Sequence, residues 1–248
     1  MGEEIILTAH QPVYLPWLGL FHKIALSDIF CYFNEVQYLK KDWNNRNKIK
    51  TASGNIWLTV PVLTGGHRDK KISDIEINNS INWQKKHWRS IYFAHQKAPF
   101  FSKYSDFFDD VYNKKKWERL ADLNKHMLKW FLDVLGIRVQ FLEASQFQFK
   151  GKKNDLVLDM CRQLKADTYI FGALGKDYVD VESFEKSGIK VVIQEYNHPV
   201  YTQLHPGFIS HLSIVDLLFN HGQRSLEIIM ENNIAKEDLL VSRMQETG

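Results

Sequence analysis

The sequence offers little ready-made chemistry. It holds two cysteines, Cys31 and Cys161, far apart and each in apolar surroundings, which argues against a disulfide framework or a cysteine zinc motif and for buried, reduced thiols. No stretch approaches the ~20 apolar residues of a bilayer span. The opening residues lack a basic region followed by a long apolar run and a small-residue cleavage site, so a cytoplasmic protein with no membrane insertion is expected. Charge of one sign is also scarce, because 32 Lys and Arg against 29 Asp and Glu leave +3, too little to argue for a nucleic-acid partner. No nucleophile elbow, Walker loop, dinucleotide fingerprint or carboxylate pair at glycosidase spacing is apparent. What remains is 248 residues with 44% apolar content, enough to bury a large core in one domain or two closely packed lobes.

The most distinctive segment is Ala-His-Gln-Pro-Val-Tyr-Leu-Pro-Trp-Leu-Gly at 9–19. An ordinary strand exit uses Gly, Ser, Asn or Asp. Here Pro12 and Pro16 fix φ and remove two donors, while His10, Tyr14 and Trp17 bring a titratable ring and two large aromatics. The loop reads as stiff and chemically equipped.

Apolar periodicity predicts a strand at 4–9, a helix at 17–26 and a strand at 28–33, a β-α-β opening. Such a unit gathers its ligand site at the carboxyl ends of its strands, which sets 10–17 beside 34–37. Residues 57–62 and 72–77 alternate and are expected to pair across a Gly65-Gly66 turn. Helices follow at 83–96, 101–112 and 117–135, the last with an apolar stripe of Leu120, Leu123, Met127, Leu128, Phe131, Leu132 and Leu135. Strands at 138–142, 168–171 and 190–194 then alternate with helices at 154–164 and 181–187. The expected fold is α/β, a mostly parallel sheet with helices on both faces and an inserted helical lobe near 83–135. One domain over 1–231 precedes a charged tail, 232–248, expected to be a short helix or partly disordered.

Three polar segments are candidates for a site. Residues 40–50 hold Lys40, Lys41, Arg46, Lys48 and Lys50 around Trp43 and three asparagines. Such a segment grips phosphate through its cations while Trp stacks on a ring, although lysines of a solvated loop look the same. At 172–180, Gly172 and Gly175 permit close backbone approach, and helix N-terminal amides beside Lys176 suit an anionic oxygen. A tight turn explains that pattern equally well. At 195–216, His198, His205 and His211 match no compact zinc spacing, and His211 is expected to cap or orient a helix at 212–219 with Asp216 as a hydrogen-bond partner.

The order of these motifs resembles the WbqC-like family, through the 9–19 segment, Trp57-Leu-Thr-Val-Pro-Val62, Trp83-Gln-Lys-Lys-His-Trp88, Lys97-Ala-Pro-Phe-Phe-Ser-Lys-Tyr104 and His211-Leu-Ser-Ile-Val-Asp-Leu-Leu-Phe-Asn220. The likeness spans roughly residues 5–229. Related sequences carry a Ser-Gly-Pro-type turn before Asp177-Tyr178; this chain has Phe171-Gly-Ala-Leu-Gly and lacks the hydroxyl. The resemblance implies an enzyme of bacterial polysaccharide or O-antigen (lipopolysaccharide) biosynthesis. It would acylate a nucleotide-linked amino sugar with a glycyl or similar acyl group from a donor of unknown kind, without a bound cofactor or metal.

For that chemistry the residue types nominate His10, then His198, as general base. Lys41, Arg46 and Lys176 would hold a diphosphate, Tyr14, Trp17 and Trp43 would stack on base or sugar, and Gln11, Asn34, Gln37 and Asn47 would read hydroxyls. Gly172, Gly175, Asp177, Tyr178 and His211 complete the candidates. Two other readings stand beside it. One is a non-catalytic sugar-nucleotide or glycan-binding partner protein with Trp83, Trp88 and Trp117 at an interface, unless those rings are core. The other is a nucleotidyltransferase-like enzyme, although Tyr14 and Trp17 occupy the offsets where that superfamily places ATP-facing histidines. Oligomerisation is compatible with either.

Overall fold

The computed structural model describes residues 4–63, 65 and 70–240. Five strands, β1 (Ile6–His10), β2 (Ile29–Tyr32), β5 (Gln140–Glu143), β6 (Thr168–Phe171) and β7 (Lys190–Ile193), form one parallel sheet ordered β5-β2-β1-β6-β7. Helix α1 (Leu18–Ala25) connects β1 to β2, and α5 (Asn154–Leu164) and α6 (Val181–Glu185) connect the later strands. The α/β expectation holds. Its physical basis is visible in β2 and β6, which are buried at every position, as strands covered on both faces must be.

Residues 83–135 form α2 (Trp83–His95), α3 (Phe101–Asp109) with a π-turn to Lys114, and α4 (Leu120–Leu135). The α4 stripe is buried as its spacing predicts, and Gly136 ends the helix at φ 73°. These helices share one continuous apolar core with α1 and with α7 (Ile214–His221). A second core, with Leu158, Cys161 and Phe184, covers the opposite face of the sheet. Trp83 belongs to the first core, with Trp88 and Trp117 packed against it. No helix among the described residues is long and apolar enough to cross a membrane.

Both thiols are buried, and desolvation pushes each up to about 12. Native protein is therefore expected to be silent to a thiol-reactive dye until it unfolds; rapid labelling of either cysteine without denaturant would contradict this packing.

Several local expectations are corrected. Residues 40–50 are not one loop, because β3 (Arg46–Thr51) pairs antiparallel with β4 (Gly54–Thr59). Residues 72–77 are no strand: Ile72–Asp74 is a 3-10 turn, and the expected pairing shrinks to a single bridge between Val62 and Ile77. Gly66 of the expected turn lies outside the described residues. Of the tail, 236–240 is helical, and Leu239 packs on Ile6, Leu26 and Ile170; residues 241–248 lie outside the described residues.

Candidate functional site

Counted along the chain, the five strands stand in the order 3-2-1-4-5, so the connections diverge to either side of β1. In such a sheet the crevice outside the carboxyl ends of the two diverging strands, here β1 and β6, is where a ligand fits. The ladders differ there. The β1–β2 pairing runs through His10↔Tyr32, whereas β1–β6 stops at Thr8↔Ile170. The backbone beyond Thr8 is thereby freed on the β6 side, and the strands fork.

Lys23 of α1 reaches into this fork. Its Nζ donates to Ala9 O at 3.0 Å, the one hydrogen bond its ammonium makes among the described residues. The side chain is buried, and desolvation lowers its pKa from 10.5 to about 8, with no carboxylate among the described residues to offset it. His10 lies alongside. Its Nδ1 is 2.8 Å from Gln11 O, which only accepts, so Nδ1 carries the proton and Nε2 presents a lone pair. Burial first, then the Lys23 charge, lowers His10 to about 3. At neutral pH the ring is an uncharged acceptor of weak basicity.

From His10 an aromatic staircase leads outward. His10 stands edge-on to Trp17 at 5.5 Å, Trp17 is 5.8 Å from Trp43, and Trp43 is 5.6 Å from Trp57. Trp43 and Trp57 are exposed, and the Arg46 guanidinium and Lys48 ammonium lie 4.5 and 4.8 Å from the Trp57 centroid. The β3–β4 register produces this group, since Lys48 is opposite Trp57. Stacking surface and positive charge thus sit beside the strand fork.

Other candidates are occupied elsewhere. Tyr14 is fully buried and belongs to a hydrogen-bond chain rather than a stacking surface: its hydroxyl meets Tyr112 Oη and lies 2.8 Å from His87 Nδ1. Two of the three asparagines serve the proline loop, and Asn45 donates to Val60 O instead. Asn44 donates to Pro12 O and Asn47 to Leu15 O, both from buried amides, so Asn47 is a strut rather than a free reader of hydroxyls. Gln11 donates to Asp42 Oδ2 at 3.1 Å, and exposed Lys41 offers its carbonyl to Arg46. Asn34 is buried just past β2 with Oδ1 unpartnered, whereas Gln37 is exposed.

At the β6 exit, Gly175 packs so closely on Phe171 that an added Cβ would lie 2.6 Å from Phe171 Cβ. This close approach explains the glycine. Asp177 ends the 3-10 turn and Tyr178 is half exposed, while Lys176 pairs with Glu195. Gly172 precedes that turn.

His198 has both ring nitrogens committed, with Nδ1 donating to Pro199 O and Nε2 accepting from the His211 amide at 3.1 Å. None of its ring or hydrogen-bond contacts among the described residues reaches His10. His211 does not cap α7; Ser213 does, and Asp216 faces His95 Nε2 at 3.6 Å instead of His211. Lys23 escaped the reading from sequence, yet it had a signal: it is the lone Lys, Arg, Asp or Glu in an otherwise apolar, buried Leu-Gly-Leu-Phe-His-Lys-Ile-Ala helix.

Fold and site together define an α/β protein with a buried lysine, a histidine and a run of aromatic rings gathered at the strand-order reversal. The WbqC-like protein family model matches residues 11–228, and the chain belongs to that family. It is similar to the uncharacterized protein Rv1507c of Mycobacterium tuberculosis, 35% identical over 213 residues, covering 86% of this chain and 92% of that one. No solved structure matches it.

Proposed function

We propose that this chain is a transferase that binds a nucleotide-linked amino sugar across the β1–β6 crevice and acylates its amine. The observation that supports this reading most is the staircase from His10 through Trp17 and Trp43 beside the fork, with Arg46 over Trp57. Stacking holds a base or pyranose ring, the guanidinium faces a diphosphate, and His10 Nε2 accepts a proton or hydrogen bond from the amine.

A thermal-shift panel of nucleotide sugars, free nucleotides, coenzyme A and ATP tests it. A nucleotide sugar at about 100 times its Kd adds ~2.7 kcal/mol, worth several degrees for a chain of this size. Trp43→Ala is expected to weaken that binding by about 1–3 kcal/mol, and His10→Ala to slow turnover by about 10²- to 10⁴-fold. A shift with ATP alone would favour nucleotidyl transfer, and no shift with any of these would sink the proposal.

One observation favours a second reading, a binding protein without turnover. His10 is held at about 3 and both nitrogens of His198 are engaged, so neither ring is tuned near neutral pH as a general base should be. Equal nucleotide-sugar binding by wild type and His10→Ala, with product from neither, would select it.

A further inference from the structure

The fork beside β1 contains a cation that no carboxylate among the described residues neutralises. A buried ammonium costs several kcal/mol unless paired or fully hydrogen-bonded. A second buried lysine in this chain meets that demand: Lys50 donates to Gln203 Oε1 at 2.9 Å, to His205 O at 2.7 Å and to Gly207 O. Lys23 has only Ala9 O, and Ala9 is a residue that the β1–β6 ladder has already released. Its other two donors have no acceptor among the described residues. Helix α1 runs back along the sheet from the carboxyl edge, so Lys23 starts about a turn and a half below Trp17 and returns its Nζ toward the edge along the sheet face.

We infer that Lys23 Nζ, at the fork where β1 and β6 separate, is the anchor for a phosphoryl oxyanion of the ligand, with the His10 ring nearby. A compact ammonium serves a phosphoryl group as a point charge, without the bidentate geometry that a guanidinium fork imposes. The location agrees, because phosphates of ligands on such sheets lie at the strand-order reversal. The anion would also shield His10 from the Lys23 charge that now depresses its basicity.

This deepens the proposed function by naming the group of the nucleotide sugar that enters first. The test uses inorganic pyrophosphate, read by thermal shift on the full chain and by the ¹⁵Nζ resonance of Lys23. Wild type is expected to show a saturable stabilisation of several degrees and a shifted Lys23 resonance. Lys23→Met keeps the apolar stem, is expected to fold with a Tm at or above that of wild type, and should lose at least tenfold in pyrophosphate affinity. Undiminished pyrophosphate binding by Lys23→Met, a Lys23 resonance that does not move, or a variant that cannot fold would each overturn the assignment. Nucleotide-sugar binding that survives Lys23→Met unchanged would remove Lys23 and leave the proposed function intact. Lys23-dependent pyrophosphate binding without any nucleotide-sugar binding would do the reverse.

Discussion

Acidification from pH 7 to pH 4 is expected to remove on the order of 3 kcal/mol of folding stability. The source is histidine that folds neutral. His87 is buried in α2, with Nδ1 beside Tyr14 Oη and a ring hydrogen bond to the Thr59 backbone, and burial lowers it from 6.5 to about 4. A ring that donates to Thr59 must accept at Nδ1, so the Tyr14 hydroxyl donates to it and accepts from Tyr112. Protonating His87 sets a donor against a donor. The unfolded chain takes up this proton below pH 6.5 and the folded chain only near pH 4, so the contribution is complete above 6.5 and is lost as pH falls through that window. His22 shifts in the same direction, and so does His10, whose partly open ring contributes less than its full displacement. The carboxylates with lowered pKa, such as Asp180 and Glu227, are surface groups that add little. Urea midpoints at pH 7, 5.5 and 4.5 read the effect directly, and His87→Gln should flatten the dependence. A midpoint constant across that range would refute the account.

The parts of the fold legible in sequence were those set by apolar periodicity. The α4 stripe and the buried strands β2 and β6 depend on which faces reach a core, and a single sequence shows that. The failures came where one pattern serves two structures. The apolar positions Ile72, Ile75 and Ile77 all lie in the core, yet the three-residue step from 72 to 75 fits no strand face: a 3-10 turn and two isolated bridges, at Glu76 and Ile77, bury them without a strand. Asn47 looked like a reader of ligand hydroxyls, yet its amide and that of Asn44 serve carbonyls of the loop 12–16, some thirty residues earlier. Nothing local distinguishes those uses, because the partner is far along the chain. The site was half visible: His10, Trp17, Trp43 and Arg46 come together, while Tyr14 is drawn into the core by Tyr112 and His87. Trp57 and Lys23 depended on strand register and on the fork, which only three dimensions supply.

Lys50→Ala is expected to destabilise the chain by about 3–5 kcal/mol. The wild-type ammonium holds three oxygens of the 203–207 turn. Removing it leaves the His205 and Gly207 carbonyls without that donor, while Gln203 Oε1 keeps the Ile209 amide at 3.0 Å. The loss spreads, because His205 Nε2 donates to Ala94 O at 2.9 Å, and the strand that carries Lys50 also accepts the Ser213 amide at Lys48 O. Lys50→Met separates the terms: it retains most of the stem volume, so its cost reports the hydrogen bonds, and the further loss in Lys50→Ala reports the cavity. Urea midpoints of both variants measure this, and a Lys50→Met as stable as wild type would show that the desolvation cost of the cation cancels its bonds. The contrast with Lys23 then becomes a test of one principle at two sites. Both lysines are buried and neither faces a carboxylate among the described residues, but the saturated ammonium should be missed by the fold when it is removed, whereas the one with a single acceptor should be missed only by the ligand.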